Sequence, residues 1–180
     1  EIRRHLPLLL GAAARLAGGR PDLRLLLGLV SWLDGRAVEA AVAASGIRPT
    51  IIQGRTPELI RAADLVLAVS GTVTLEAAIL GTPMIITYRV GRLSWALGRL
   101  LVRVRFIGLP NLVADEGIVP ELIQFEATPE RLALTAAAIL ESPERQARMR
   151  AALAEVRMRL GAPGAAERAA REVLALLPAS

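Results

Sequence analysis

The chain has 180 residues, enough for one hydrophobic core of domain size, with no cysteine and a single histidine. That leaves no basis for a disulfide scaffold, a cysteine nucleophile or a metal site built on cysteine and histidine. All 22 basic residues are arginine against 17 acidic ones, a net charge of +5, while aromatics make up 3%, too few stacking platforms for a nucleic-acid binder; anionic small molecules and anionic membrane surfaces suit this charge better.

An amphipathic helical pattern runs from Ile2 to Leu16, with neither an initiator methionine nor a signal sequence ahead of it, so the chain reads as a segment cut from something longer. His5, the sole imidazole, reads as a surface residue of that helix. Short apolar runs and helical stretches then alternate, the pattern of parallel βαβ units around a buried sheet. Strands are expected at Leu23 to Leu29, Thr50 to Gln53, Leu65 to Val69, Met84 to Tyr88 and Arg105 to Gly108. Helices are expected at Gly35 to Ala44, Pro57 to Ala63, Val73 to Leu80 and Leu93 to Val102. Past Pro120 the reading is helical: a short piece at Glu121 to Gln124, then Pro129 to Leu140, Pro143 to Leu160 and a last helix to Leu177. The longest apolar runs, such as Ala77 to Tyr88, are shorter than the ~20 residues of a spanning helix. The fold class is therefore α/β, a Rossmann-like parallel sheet flanked by helices over residues 1–142, with a helical C-terminal segment over 143–180.

Such a sheet binds ligands where strand ends turn into helix starts. After Leu65 to Val69, Ser70-Gly71-Thr72 leads directly into a helix carrying Thr74 and Glu76. Free N–H groups, the positive end of the helix dipole and two hydroxyls suit a diphosphate there, and Glu76, about one turn on, suits a pair of ribose hydroxyls. The same spacing also fits a plain helix start, with Ser70 or Thr72 as cap and Glu76 as favourable charge. A second loop, Gln53-Gly54-Arg55-Thr56-Pro57, offers backbone groups for a base, or simply the N-cap Thr56 with Pro57 at the first helical position. In a third, Gly108-Leu109-Pro110-Asn111, the amide of Asn111 faces the same rim or makes a turn.

Together these segments resemble the lipid A disaccharide synthase family of glycosyltransferases. The resemblance rests on Ala62-Ala63-Asp64, Ser70-Gly71-Thr72 through Leu75-Glu76, Pro83-Met84 with Tyr88-Arg89, Leu109-Pro110-Asn111-Leu112 and Glu121-Leu122-Ile123-Gln124, in that order. The Ser-Gly-Thr to Glu element is shared with other GT-B glycosyltransferases, including the peptidoglycan enzyme; the Tyr-Arg pair and the Leu-Pro-Asn and Glu-Leu-x-Gln segments distinguish the lipid A family.

The resemblance implies the C-terminal, UDP-binding half of a GT-B fold, whose partner would be a missing N-terminal domain carrying the acceptor side and the main base. The family reaction joins UDP-2,3-diacylglucosamine to 2,3-diacylglucosamine 1-phosphate, giving a β-1,6-linked disaccharide and UDP without metal or other cofactor. Carried onto this chain, Ser70, Gly71 and Thr72 hold phosphate, Glu76 the ribose, Ile52, Gln53 and Gly54 the uracil, and Asn111, Gln124 and Arg89 the donor sugar or diphosphate. No catalytic residue is assigned within the chain. A Gly-Ser-Arg phosphate motif and the first strand of the domain would lie upstream of Glu1, so the polypeptide alone is expected to lack transferase activity and to bind UDP weakly at best. A non-catalytic UDP-sugar-binding module, or the donor domain of a peptidoglycan-type GT-B glycosyltransferase, is the alternative reading.

The family's setting is the cytoplasmic face of the inner membrane. Between Glu76 and Asp115 there is no acidic residue, and at about 100° per residue Arg92, Arg99 and Arg103 share one face of the expected Leu93 to Val102 helix. That face suits an anionic lipid surface, or an ordinary solvated exterior. The apolar faces of the C-terminal helices are expected to favour self-association into a homodimer.

Overall fold

The computed structural model describes residues 2–33, 35–91, 95, 104–162 and 164–176. The first helix, α1 (Ile2–Gly18), places His5, Leu8, Ala12 and Leu16 on one buried stripe at steps of three and four residues. Then follow β1 (Leu26–Leu29), α2 (Arg36–Ala44), β2 (Thr50–Gln53), α3 (Thr56–Ala62), β3 (Val66–Val69), α4 (Thr72–Leu80) and β4 (Met84–Tyr88). Gly81, at φ +74°, ends α4 in the left-handed conformation that glycine adopts without steric cost. The second half comprises α5 (Leu109–Ala114), β5 (Glu121–Ile123), α6 (Pro129–Leu140), α7 (Pro143–Leu160) and α8 (Ala165–Ala175). Thr128 and Ser142 cap α6 and α7 by accepting the Arg131 and Arg145 N–H groups, each at 3.2 Å, with proline opening both helices. Hydrogen bonds from its own backbone N–H and from Thr128, with Arg15 beside it, hold the Glu130 carboxyl below the usual carboxylate range.

Among the described residues all pairing is parallel, in two sheets ordered β1-β2 and β3-β4-β5. Leu26 pairs with Thr50 and Leu29 with Gln53; Val66 pairs with Met84, and Ile86 with Glu121. Met84, Ile85 and Ile86 are fully buried, as in a central strand covered on both faces. The main core gathers these with Leu8, Ala12 and Leu16 of α1, Leu132 and Ala136 of α6, and Met149, Leu153 and Val156 of α7. A smaller core under β1 and α2 holds Leu6, Leu10, Leu29 and Val38, so α1 serves both.

The α/β class and Rossmann-like parallel arrangement agree with the sequence reading, and four local expectations are corrected. Glu121 to Gln124 is no helix: residues 121–123 form β5, because a strand of 3 residues is too short to show periodicity and only pairing with β4 defines it. Arg105 to Gly108 is no strand, since the Ile107 and Gly108 N–H groups donate to the Glu121 carboxylate rather than to a ladder. Thr56 does not cap α3; it is the first helical residue and Arg55 precedes it without a capping side chain. His5 is not on the surface but 2% exposed, because the apolar stripe of α1 runs through it. The expected helix at Leu93 to Val102 lies, apart from Trp95, outside the described residues.

Candidate functional site

The carboxyl ends of β3, β4 and β5 bring most of the candidate residues to one rim. Beyond the paired residues Val69 and Thr87, the Ser70 N–H donates to the Thr87 carbonyl at 3.0 Å, and the Gln124 N–H to the Tyr88 carbonyl at 2.8 Å. Ser70, Arg89 and Gln124 are therefore neighbours across adjacent strand ends. The Ser70 hydroxyl donates to the Ile107 carbonyl at 3.2 Å, tying the segment before α5 to the same rim.

At the start of α4, Gly71 stands in the N-cap position with extended backbone, and among the described residues no side-chain cap bond is made there. The first bond into the turn is the Thr74 N–H to the Gly71 carbonyl at 3.1 Å, which the Thr74 hydroxyl doubles at 2.7 Å. The cap role that spacing allowed for Ser70 or Thr72 is thus not taken up: Ser70 bonds Ile107 instead, and Thr72 is already helical. The N–H groups of the first turn point off the end of the helix. A Cβ added at Gly71 would meet nothing closer than the Val69 carbonyl oxygen at 4.0 Å, so internal packing does not demand glycine there. Glu76, further along α4, is exposed.

Asn111 and Gln124 are placed differently from an open ligand contact. Asn111 is 1% exposed in α5, and its amide is fully engaged. The amide nitrogen donates to the Val119 carbonyl at 2.9 Å and to Glu121 Oε1 at 2.8 Å, and the oxygen accepts the Ile118 and Val119 N–H groups at 2.9 and 3.0 Å. Gln124, at φ +53°, is also buried; it accepts the Val90 N–H at 3.0 Å and donates to the Val90 carbonyl at 3.1 Å. Both side chains hold the backbone around the rim, whereas Arg89 projects into solvent.

Two residues of the rim were not assigned from the sequence. Glu121 accepts the Ile107 and Gly108 N–H groups, each at 2.9 Å, besides the Asn111 amide. His5 accepts the Arg89 N–H on Nε2 at 3.0 Å. The signal for His5 was its place on the α1 stripe; Glu121 had none beyond its position in the Glu-Leu-x-Gln segment.

Ile52, Gln53 and Gly54 lie at the end of β2, in the other sheet. The Gln53 amide nitrogen donates to the carbonyls of Ser31 at 3.0 Å and Leu33 at 3.2 Å, locking the loop after β1 against this one. Gly54, at φ +73°, turns the chain while its N–H donates to the Leu29 carbonyl at 2.8 Å. Among the described residues no hydrogen bond joins this loop to the Ser70 rim. Arg92, Arg99 and Arg103 are outside the described residues. A cleft of about 280 Å³ opens elsewhere, between α7 and the end of α5, where Arg159 donates to the Val113 and Ala114 carbonyls at 3.1 and 2.8 Å.

Residues 1–175 match the family described as lipid-A-disaccharide synthetase. This chain belongs to that family. Among curated members named lipid-A-disaccharide synthase, it is 41% identical to that of Myxococcus xanthus over 99% of its own length and 46% of the relative's. It is 43% identical to that of Syntrophus aciditrophicus, over 100% of the chain and 47% of the relative, and 40% identical to that of Nitrosococcus oceani, over 98% and 46%. The chain spans about half the length of the curated relatives it matches. No helix of its described residues is long and apolar enough to cross a membrane.

Proposed function

We propose that this chain is the donor-nucleotide half of a lipid-A-disaccharide synthase, binding UDP-2,3-diacylglucosamine through its diphosphate and ribose. The observation that carries the reading is the start of α4: an uncapped helix N-terminus opening through an unobstructed glycine, with Arg89 on the neighbouring strand end. The N–H groups at Thr72 and Val73, with the Thr72 hydroxyl, donate to phosphate oxygens, favoured by the helix dipole. Ser70 orders the rim through Ile107 more than it offers a proton, because its hydroxyl hydrogen is already donated. Glu76 accepts the ribose hydroxyls, and the loop of Ile52, Gln53 and Gly54 borders the uracil. Asn111 and Gln124 act from behind, holding the α5 segment and the Arg89 segment that border the donor sugar.

The reaction transfers the diacylglucosamine from UDP to the 6-hydroxyl of 2,3-diacylglucosamine 1-phosphate. As the glycosidic bond to the diphosphate breaks, negative charge grows on the leaving UDP, and fixed donors aimed at it lower the barrier. The acceptor and its base belong to the other half of the enzyme. In this reading the chain alone binds UDP but does not turn over.

Calorimetric titration of UDP against the chain and its Glu76→Ala variant tests the site. Loss of charge-assisted bonds of roughly 1.5–3 kcal/mol predicts affinity weaker by about tenfold or more. Equal affinity removes the ribose role, and transfer to radiolabelled acceptor by the chain alone overturns the division of labour.

Because both sugars carry acyl chains, the enzyme must meet a bilayer, and we assign that contact to Arg92, Arg99 and Arg103. Replacing all three with glutamine is expected to abolish flotation of the chain with anionic liposomes; unchanged flotation removes the assignment.

A further inference from the structure

Beyond Tyr88 the pairing of β4 ends, and side chains take over the backbone polar groups that follow. The Arg89 N–H donates to His5 Nε2 at 3.0 Å, and the Arg89 carbonyl accepts from Arg4 at 3.4 Å. Both polar groups of Val90 are bonded to the Gln124 amide, at 3.0 and 3.1 Å. One side of this clamp comes from the first turns of α1, the other from the residue after β5. His5 is 2% exposed and stacks on Tyr88 with ring centroids 5.5 Å apart and planes inclined by 18°. An N–H can donate only to a ring nitrogen that keeps its lone pair, so in this arrangement the imidazole is neutral and carries its proton on Nδ1.

The clamp leaves Arg89 little freedom except in its side-chain torsions. Among the described residues no carboxylate pairs with its exposed guanidinium. Its place is fixed relative to the start of α4, because Ser70 is bonded to Thr87, two residues earlier on the same strand. A cation with no carboxylate partner among the described residues, beside a helix start with no N-cap side-chain bond, suits an anion from outside. His5 itself is too buried to reach that anion.

We propose that His5 is a positioning residue for nucleotide binding: through its bond to the Arg89 backbone, and with Gln124 holding Val90, it aims the Arg89 guanidinium at the diphosphate on the α4 helix start. The proposal rests on the UDP reading above. It differs from a core-packing role for His5 because it requires the acceptor nitrogen and not merely the ring.

The test is titration of the chain with UDP and with inorganic pyrophosphate, in wild type, Arg89→Ala, His5→Ala, His5→Gln and the His5→Ala/Arg89→Ala double variant. Arg89→Ala is expected to weaken both ligands about tenfold, the loss of one charge-assisted contact. His5→Ala falls toward the same level, and the double variant is no weaker than Arg89→Ala, since a residue acting through another adds nothing once that one is gone. His5→Gln, whose amide oxygen can accept the same N–H, returns affinity to within about threefold of wild type. Wild-type affinity in His5→Ala, or losses that add in the double variant, overturns the proposal.

Should His5→Ala fail to fold, the unsubstituted chain still decides, because its single histidine gives one assignable pair of imidazole nitrogens. Nitrogen-15 spectra are expected to show the Nδ1–H tautomer, with an Nε2 resonance that shifts on adding pyrophosphate in wild type but not in Arg89→Ala. A proton on Nε2, or an Nε2 resonance indifferent to pyrophosphate, overturns the proposal. If the wild type binds neither ligand, the nucleotide reading falls and this inference with it; if it binds both and only the His5 arms fail, this inference alone falls.

Discussion

Glu121 shows how one carboxylate organises a site without facing a ligand. It accepts the Ile107 and Gly108 N–H groups and the Asn111 amide, and Ile107 in turn receives the Ser70 hydroxyl, so four residues of the rim depend on it. Charge-assisted bonds of this kind are stronger than neutral ones, and they replace the ladder that an expected strand at Arg105 to Gly108 would have formed. The arrangement needs close approach. A Cβ at Gly108 would lie 2.3 Å from Ile86 Cδ1 and 2.9 Å from Glu121 Oε1, and Ile86 is fully buried with no room to retreat. Gly108→Ala is therefore expected to destabilise the fold by about 1–3 kcal/mol, the range for overpacking, with a matching drop in the denaturant midpoint. Wild-type stability in that variant would mean that the Glu121 anchor is looser than its bonds imply. Asn111 belongs to the same network: the family resemblance implied a contact with the donor sugar or diphosphate, and the four hydrogen bonds of its amide are to internal partners.

At the scale of elements, α6 and α8 contrast. The first is capped by Thr128, opens with proline and buries Leu132, Ala133, Ala136 and Ile139. The second also has an apolar stripe, yet none of its residues is buried, and Val173 and Leu174 remain 62% and 63% exposed. Helical stability in proteins derives mostly from packing of the apolar face, so the two should differ in opening free energy. Hydrogen exchange is expected to be slow in α6 and α7 and fast in α8, and Val173→Asp should change stability by less than about 0.5 kcal/mol. Protection of α8 comparable to α7 would reveal a partner for its stripe, and loss of that protection on dilution would identify the partner as a second copy of the chain. The start of α4 belongs to this scale too: like α2, α3, α5 and α8, and unlike α6 and α7, it has no N-cap side-chain bond, so the missing cap marks α4 only together with its place at the strand ends beside Arg89.

Across the whole molecule, two cores of unequal size share α1. Leu8, Ala12 and Leu16 enter the main core, and Leu6 and Leu10 enter the smaller one under β1 and α2. This division places the Ser70 rim on the main core and the Ile52 to Gly54 loop on the smaller one. Leu153, fully buried in the main core, should cost about 2–5 kcal/mol when replaced by alanine and lower the cooperative unfolding midpoint of every probe. Leu10→Ala should instead speed hydrogen exchange in β1 and β2 more than in β3 to β5. If the two variants loosened both sheets equally, the cores would be one cooperative unit.

The sequence alone carried the strand and helix order through β4, because apolar runs bounded by glycine, proline and aspartate mark buried parallel strands without help from the rest of the chain. It also carried the family, through motifs whose order and residue types a single chain displays. It determined that Ser70 to Glu76 sits where a strand turns into a helix, since that change of period is local. Only the tertiary structure decided which of the named residues face solvent. Asn111 spends its amide on backbone groups and the Glu121 carboxylate, and Gln124 on the Val90 backbone; a polar residue's availability depends on groups outside its local pattern. The same reason hid β5, defined by pairing with β4, and His5, whose partner Arg89 is 84 residues away. The Ser70 to Glu76 segment was legible in the sequence; the bonds by which His5 and Gln124 hold the Arg89 and Val90 backbone exist only because the fold brings α1 and the end of β5 to opposite sides of one strand end.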